Sequence, residues 1–302
     1  MRRSSFSDFW AIFALLFVLD MNHLTLSLKG ELYDLERPLV MSIINVTPDS
    51  FYPGSRVSDE VALIAAVERA VEEGTDMIDL GGYSTRPGAP EVSEDEELKR
   101  ITDALSIIRK HWPKLPVSVD TFRAKVARES VVNYEADIIN DISGGQIDEQ
   151  MFPVVAELNV PYILMHMRGT PQTMQQFTNY DAIIPEMLSY FSEKIELLRS
   201  MGFNKEVIID PGFGFSKTLE QNYEVMSGLE HFLTFEQPLL VGISRKSMIY
   251  KLLGGTSEEA LNGTTVLNTF ALMHGAHILR VHDTKAAVEA VKMCNLLKQN
   301  NK

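Results

Sequence analysis

Six residues with useful chemistry follow short apolar runs in this 302-residue chain: Asp120, Asn140, Asp210, Lys246, Arg280 and His282. A carboxylate accepts paired N–H bonds from an amidine-like edge. An asparagine donates and accepts in one plane, and a lysine donates to a carbonyl oxygen and an adjacent ring nitrogen. Asp120, Asn140, Asp210 and Lys246 together therefore suit a flat, nitrogen-rich ring. Arg280 and His282 stand two residues apart, so an extended backbone points both the same way. Such a pair suits an anion held by charge-assisted hydrogen bonds. The chain has 41 acidic and 28 basic side chains, a formal net charge of −13. An anion must then be held by a local cluster against the global field. The same balance excludes a nucleic-acid surface, which needs a basic face.

Other chemistries lack their residues. There is no Ser-His-Asp order of a hydrolase, no HExxH, no P-loop and no His-rich cluster. A single cysteine, Cys294, cannot form a disulfide within the chain and fits a reducing, cytoplasmic compartment. Taken singly, each candidate has a plainer use. Asp120, Asp141 and Asp283 read equally as caps of a following helix. His166, between two methionines, reads first as a core histidine, and Arg245 as a partner for a nearby carboxylate. Gly81, Gly82, Gly144 and Gly145 are turn residues. Their joint occurrence is what points to a site.

Gathering these residues requires a fold that brings strand ends together. Eight short apolar, largely β-branched runs occur at 39–45, 76–80, 116–119, 137–140, 162–165, 207–210, 239–243 and 277–281. Near-continuous apolarity is expected of parallel strands covered on both faces. Helical patterns separate them, beginning with 58–74 and 93–110, each opening on serine and acids. Pro153 is expected to disturb the start of the helix after the fourth run. Eight β-then-α units in series indicate an α/β fold, a single (βα)₈ TIM barrel, whose chemistry sits at the C-terminal strand ends. The first strand leads into "INVTPDSF" rather than a glycine-rich phosphate loop, which disfavours an open doubly wound sheet.

Two arginines precede an apolar run from Phe9 to Leu19 that is too short for an ordinary membrane span. Residues 1–20 are expected to be a non-native or disordered extension, with a secretory signal as the other reading. The barrel domain is expected over 21–302.

Eight motifs, one per strand end, carry a resemblance: "INVTPDSF", "GGYSTRPGA", "SVDTFR", "INDISGG", "LMHMRGTPQTMQ", "DPGFGFSK", "GISRKSMI" and "GAHILRVHD". From about residue 37 to the C-terminus the chain resembles the dihydropteroate synthase family of pterin-binding barrels. The resemblance implies condensation of a dihydropterin methyl diphosphate with 4-aminobenzoate, with release of pyrophosphate. It implies that Asp120, Asn140, Asp210 and Lys246 hold the pterin, and that Arg280 and His282 bind the diphosphate with Thr85 close by. Asn45 is implied to contact Mg²⁺. Phe51, Thr85, Arg86, Pro87, Phe215, Lys246 and Ser247 are implied to frame the aminobenzoate. A homodimer and sulfonamide binding follow from the same resemblance.

Two positions depart from the family pattern. Pro53 stands where the first loop usually has an aspartate, and Tyr83 where the second usually has a glutamate. Any role of those two acids does not transfer to this chain. The other readings of the motifs are a pterin-binding methyltransferase, which needs no diphosphate site, and a non-catalytic pterin-binding paralogue.

Overall fold

The computed structural model describes residues 24–46, 56–83 and 91–300. The expected 1–20 extension, Pro53, Phe51, Thr85, Arg86 and Pro87 lie outside the described residues.

A small hairpin comes first, β1 (Thr25–Leu28) and β2 (Glu31–Asp34), paired antiparallel. Its turn is Lys29–Gly30, both at positive φ, the combination a two-residue hairpin turn requires. The hairpin buries Leu26 and Leu28 against one end of the barrel.

The barrel strands are β3 (Leu39–Asn45), β4 (Met77–Gly81), β5 (Val117–Asp120), β6 (Ile138–Asp141), β7 (Tyr162–Met165), β8 (Val207–Asp210), β9 (Leu240–Val241) and β10 (Ile278–Val281). All pair in parallel in the order β8-β7-β6-β5-β4-β3-β10-β9. A parallel bridge between Ile209 and Leu239 joins β8 to the chain entering β9 and closes the ring. The expected eight-unit barrel is therefore what forms.

Helices follow the strands: α1 (Arg56–Glu72), α2 (Glu94–His111), α3 (Ala124–Val132), α4 (Met151–Leu158), α5 (Ile183–Ser200), α6 (Leu219–Ser227), α7 (Ser247–Leu253), α8 (Leu261–Met273) and α9 (Thr284–Asn300). Ser93 caps α2 by accepting from the Glu96 N–H, with four acids in the first turn and three basic residues in the last. Pro153 is the third residue of α4, in the first turn, where a missing N–H breaks no helical bond. The expected disturbance there does not occur.

Two apolar layers hold this together. Outward strand residues such as Ile78, Leu80, Val119, Ile139 and Leu164 pack under the helices. Inward residues Met41, Met77, Ile138, Ile163, Ile208 and Ile278 fill the N-terminal half of the barrel above the hairpin leucines. Burying each such side chain contributes about 1.5–3 kcal/mol, which offsets the polar groups above.

Candidate active site

Side chains two apart on a strand share a face. Two residues on from Met77, Ile138, Ile208 and Ile278 stand Asp79, Asn140, Asp210 and Arg280. The next inward layer of the barrel is thus polar. Asp79, Asn140, Asp210 and Arg280 are each at most 6% exposed.

Arg280 is the hub. Its Nη1 lies 3.4 Å from Asp79 Oδ2 and its Nη2 lies 3.5 Å from Asp210 Oδ2. Asn140 Nδ2 donates to the same Asp79 oxygen at 2.9 Å. Asp210 Oδ1 accepts the Gly212 N–H at 2.8 Å. Gly242 leaves space for the guanidinium, since a Cβ there would stand 3.1 Å from Arg280 Nε. Three buried acceptors are left over. Asp79 Oδ1 and Asn140 Oδ1 receive no hydrogen bond from the protein, and Asp210 Oδ2 has only the 3.5 Å charge contact with Arg280, without hydrogen-bond geometry. Orphaned buried acceptors are costly in a folded protein, so this layer is built to receive a ligand rich in N–H donors.

Strand register sets the rest of the mouth. Asn45 pairs with Gly81, Gly81 with Asp120, and Asp120 with Asn140. Gly81 has no side chain, and a Cβ there would stand 3.0 Å from Asn45 Oδ1 and 4.0 Å from Asp120 Oδ2. The bare position lets the amide and the carboxylate converge. Asp120 is pushed up to about 8, first by burial and then by the Asp79 carboxylate, while Arg280 opposes the rise.

Lys246 crosses the mouth from the residue before α7. Its Nζ donates to the Phe213 carbonyl at 2.6 Å and lies 4.7 Å from the centroid of the Phe215 ring. Burial lowers it to about 7, Arg280 adds to the fall, and Asp210 and Asp120 oppose it. Asp120 and Lys246 keep some accessible surface, yet protein crowds their charged ends. Ser247 begins α7. His282, exposed just past β10, is oriented by Ser244, whose Oγ accepts its backbone N–H at 3.1 Å and stands 3.2 Å from its Nδ1.

The plainer use holds for Arg245, while Asp141 shapes a turn and is not the cap of the following helix, a position held by Gln150. Asp141 accepts from the N–H groups of Ser143 and Gly145 and from the Tyr162 hydroxyl, each at 2.7 Å, and so shapes the turn after β6. Arg168 pairs with Glu186 and stacks on Tyr180 at 3.9 Å. Arg245 pairs with Asp283. Asp79 was not legible as a site residue. A lone acid inside the run "DMIDL" was the available signal for Asp79.

Among the described residues no three His, Cys, Asp or Glu side chains gather as a metal cage. Asn45 does offer one hard oxygen on the strand beside Arg280. That donor set fits Mg²⁺ held mainly by phosphate oxygens and water.

A closed parallel barrel with its unpaired polar groups at the C-terminal mouth is the architecture of an α/β-barrel enzyme. Residues 41–282 match the family described as pterin binding enzyme. Dihydropteroate synthase of Escherichia coli strain K12 is 42% identical over 266 residues, 88% of this chain and 93% of that protein. A Yersinia pestis dihydropteroate synthase in a sulfonamide drug complex superposes with a TM-score of 0.85 at 38% identity, covering 92% of this chain and 100% of that one. A Xanthomonas albilineans dihydropteroate synthase with 4-aminobenzoic acid gives 0.83 at 36% identity, covering 91% and 98%. The chain belongs to this family of pterin-binding enzymes, among the dihydropteroate synthases, which are transferases of folate biosynthesis.

Proposed function

We propose that the protein condenses (7,8-dihydropterin-6-yl)methyl diphosphate with 4-aminobenzoate, giving 7,8-dihydropteroate and pyrophosphate. The observation that supports the site assignment is the trio of buried acceptors that no protein group hydrogen-bonds, Asp79 Oδ1, Asn140 Oδ1 and Asp210 Oδ2, the last facing Arg280 as an ion pair. A pterin edge presents N–H donors to such a set.

Asp120, Asn140, Asp210 and Lys246 hold the ring, and Arg280 and His282 receive the diphosphate beside Thr85. The C–O bond to the methylene breaks and its electron pair leaves with pyrophosphate. The electron-rich dihydropterin stabilises the cationic carbon. The amine lone pair of aminobenzoate then forms the C–N bond, and the nitrogen releases one proton. An arylamine is unprotonated at neutral pH, so the site needs no strong base. Its work is to stabilise the departing charge and exclude water. Bound Mg²⁺, held in part by Asn45, would neutralise diphosphate charge. Phe51, Thr85, Arg86, Pro87, Phe215, Lys246 and Ser247 frame the aminobenzoate, with its carboxylate at Ser247.

The working form is a cytoplasmic homodimer. Among the described residues no helix is long and apolar enough to cross a membrane. Val266 on α8 and Met293, Leu296 and Leu297 on α9 are each more than half exposed, an apolar face suited to a second copy. Sedimentation at micromolar concentration tests this, and a monomer would refute it.

The reaction is tested by pyrophosphate release from the dihydropterin diphosphate, with and without 4-aminobenzoate. Release that depends on the amine is expected. Pterin binding without amine-dependent turnover would leave only a binding protein.

A further inference from the structure

Two motif residues, His166 of "LMHMRG" and Lys217 of "DPGFGFSK", meet behind the barrel mouth although they are far apart in sequence. Lys217 is 4% exposed and His166 2%. Lys217 Nζ lies 3.1 Å from His166 Nδ1 and donates to the carbonyls of Gly212 at 3.0 Å and Phe215 at 3.1 Å. With the imidazole proton on Nε2, the Lys217 amine meets three acceptors; burial lowers it to about 7, with Asp210 opposing the fall, so the ammonium has all three of its hydrogens placed when it is charged. Burial holds His166 well below its ordinary value, which leaves it neutral and able to accept. A lysine buried this deeply costs several kcal/mol unless its bonds are complete, so its place calls for a reason.

The reason lies in the turn it ties. Gly212 has φ of 68°, and a Cβ there would fall 2.2 Å from the His166 carbonyl oxygen, so the turn packs directly on the end of β7. Ser216 follows at φ 45°, with its Oγ accepting the Arg168 N–H at 3.0 Å and its carbonyl accepting the Tyr180 hydroxyl at 3.0 Å. Between these points the turn presents two groups to the mouth, the Phe213 carbonyl that accepts from Lys246 and the Phe215 ring beneath it. A non-glycine residue in the left-handed region is strained, so the turn needs fastening to keep that shape.

We infer that Lys217, braced by His166, is a positioning residue that fixes the 212–216 turn so that Phe215 and Lys246 stand correctly for the aminobenzoate. It touches neither substrate. This rests on the reaction proposed above, in which Phe215 and Lys246 border that substrate.

The experiment is steady-state kinetics of wild type, Lys217→Met, His166→Gln and Phe215→Leu, with each substrate varied in turn. In Lys217→Met the KM for 4-aminobenzoate is expected to rise about tenfold or more, while that for the dihydropterin diphosphate stays within about threefold. A general loss of fold would move both together. If Lys217→Met does not fold, His166→Gln serves, since it leaves both carbonyl bonds to Lys217 in place. A smaller rise, about threefold, in the aminobenzoate KM alone is expected there. Lys217→Met combined with Phe215→Leu should fall short of the product of the single effects, because one acts through the other. Unchanged aminobenzoate KM values, parallel rises in both KM values, or effects that simply multiply would each overturn the inference. Absence of wild-type turnover would overturn the reaction, and this with it. Wild-type turnover with silent variants would overturn the positioning role alone.

Discussion

Arg245 and Asp283 meet in a two-pronged ion pair, with Nε and Nη2 each 2.8 Å from a carboxylate oxygen. Nη1 of the same guanidinium donates to the carbonyls of Ser257 and Glu258. The first of the two adjacent rim cations is therefore spent on structure. It clamps the turn after the seventh barrel strand to the loop before α8 and to the start of α9. Arg245 itself sits at φ 55°, a left-handed conformation that turns its side chain away from that of Lys246. Arg245→Ala is expected to cost about 1–3 kcal/mol of stability, lowering Tm by about 2–10 °C. Arg245→Lys should recover less than half of that loss, because lysine keeps the charge without the planar fork. Thermal denaturation measures both, and a wild-type Tm in Arg245→Ala would show the clamp to be idle.

Lys246 takes the opposite role. Its ammonium lies between the Phe213 carbonyl and the Phe215 ring, close enough to Arg280 for each to feel the other's charge. Lys246→Ala and Arg280→Ala are each expected to remove about 2–4 kcal/mol of transition-state stabilisation, a loss of roughly 10²–10³ in kcat/KM. Near-normal turnover in both would refute the assignment of the mouth. Lys246→Ala should leave Tm nearer wild type than Arg245→Ala does. The two neighbours would then separate into one stability effect and one activity effect.

Asp79 was hidden by its surroundings, yet it organises two of the expected ligand-binding side chains. One of its oxygens receives Asn140 Nδ2 and faces Arg280. Asp79→Asn keeps the shape and removes the charge. Arg280 then has only Asp210 as a close partner, and the carboxamide can turn its NH₂ towards that of Asn140. The KM for the dihydropterin diphosphate is expected to rise about tenfold or more, with the aminobenzoate KM less affected. The same substitution removes a charge that raises Asp120, so any pH limb due to Asp120 should move to lower pH. Kinetics between pH 6 and 9 measure both effects, and a limb that stays in place would mean that Asp79 and Asp120 are not coupled.

The barrel was legible because its strands, covered on both faces, are near-continuous apolar runs in regular alternation with helical patterns. The runs at 39–45, 162–165 and 207–210 coincide with β3, β7 and β8. The run 239–243 keeps only Leu240–Val241 in the ladder, since at Gly242 the chain makes room for the Arg280 guanidinium. The hairpin at 25–34 escaped notice because four-residue strands with polar outward faces carry little apolar signal. Within the site, Asp120, Asn140, Asp210, Lys246 and Arg280 were legible as charges or amides at strand ends. The contact of Lys217 with His166 was not. It joins two turns, and no periodicity links positions in different loops.

Asp120 gives the clearest pH signature. In the folded protein its carboxyl is pushed up to about 8 by burial and by Asp79, against an ordinary value near 3.8. The folded state therefore binds its proton more tightly than the unfolded state does. The resulting stabilisation is complete at acid pH, and it is lost as pH rises from about 4 to about 8. Asp120→Asn mimics the protonated form and does not titrate. Relative to wild type, the variant should gain stability progressively across that window and level off above about pH 8. The gain is expected to reach a few °C in Tm, of the order of 1 kcal/mol or more. Its activity should fall, because an amide offers one acceptor oxygen and an NH₂ donor where a carboxylate offers the pterin two acceptors. Melting curves of both proteins at pH 5, 7 and 9 measure the difference. A Tm gap that stays constant with pH would show that Asp120 has nearly the same proton affinity folded and unfolded, and that the mouth does not crowd it as the geometry requires.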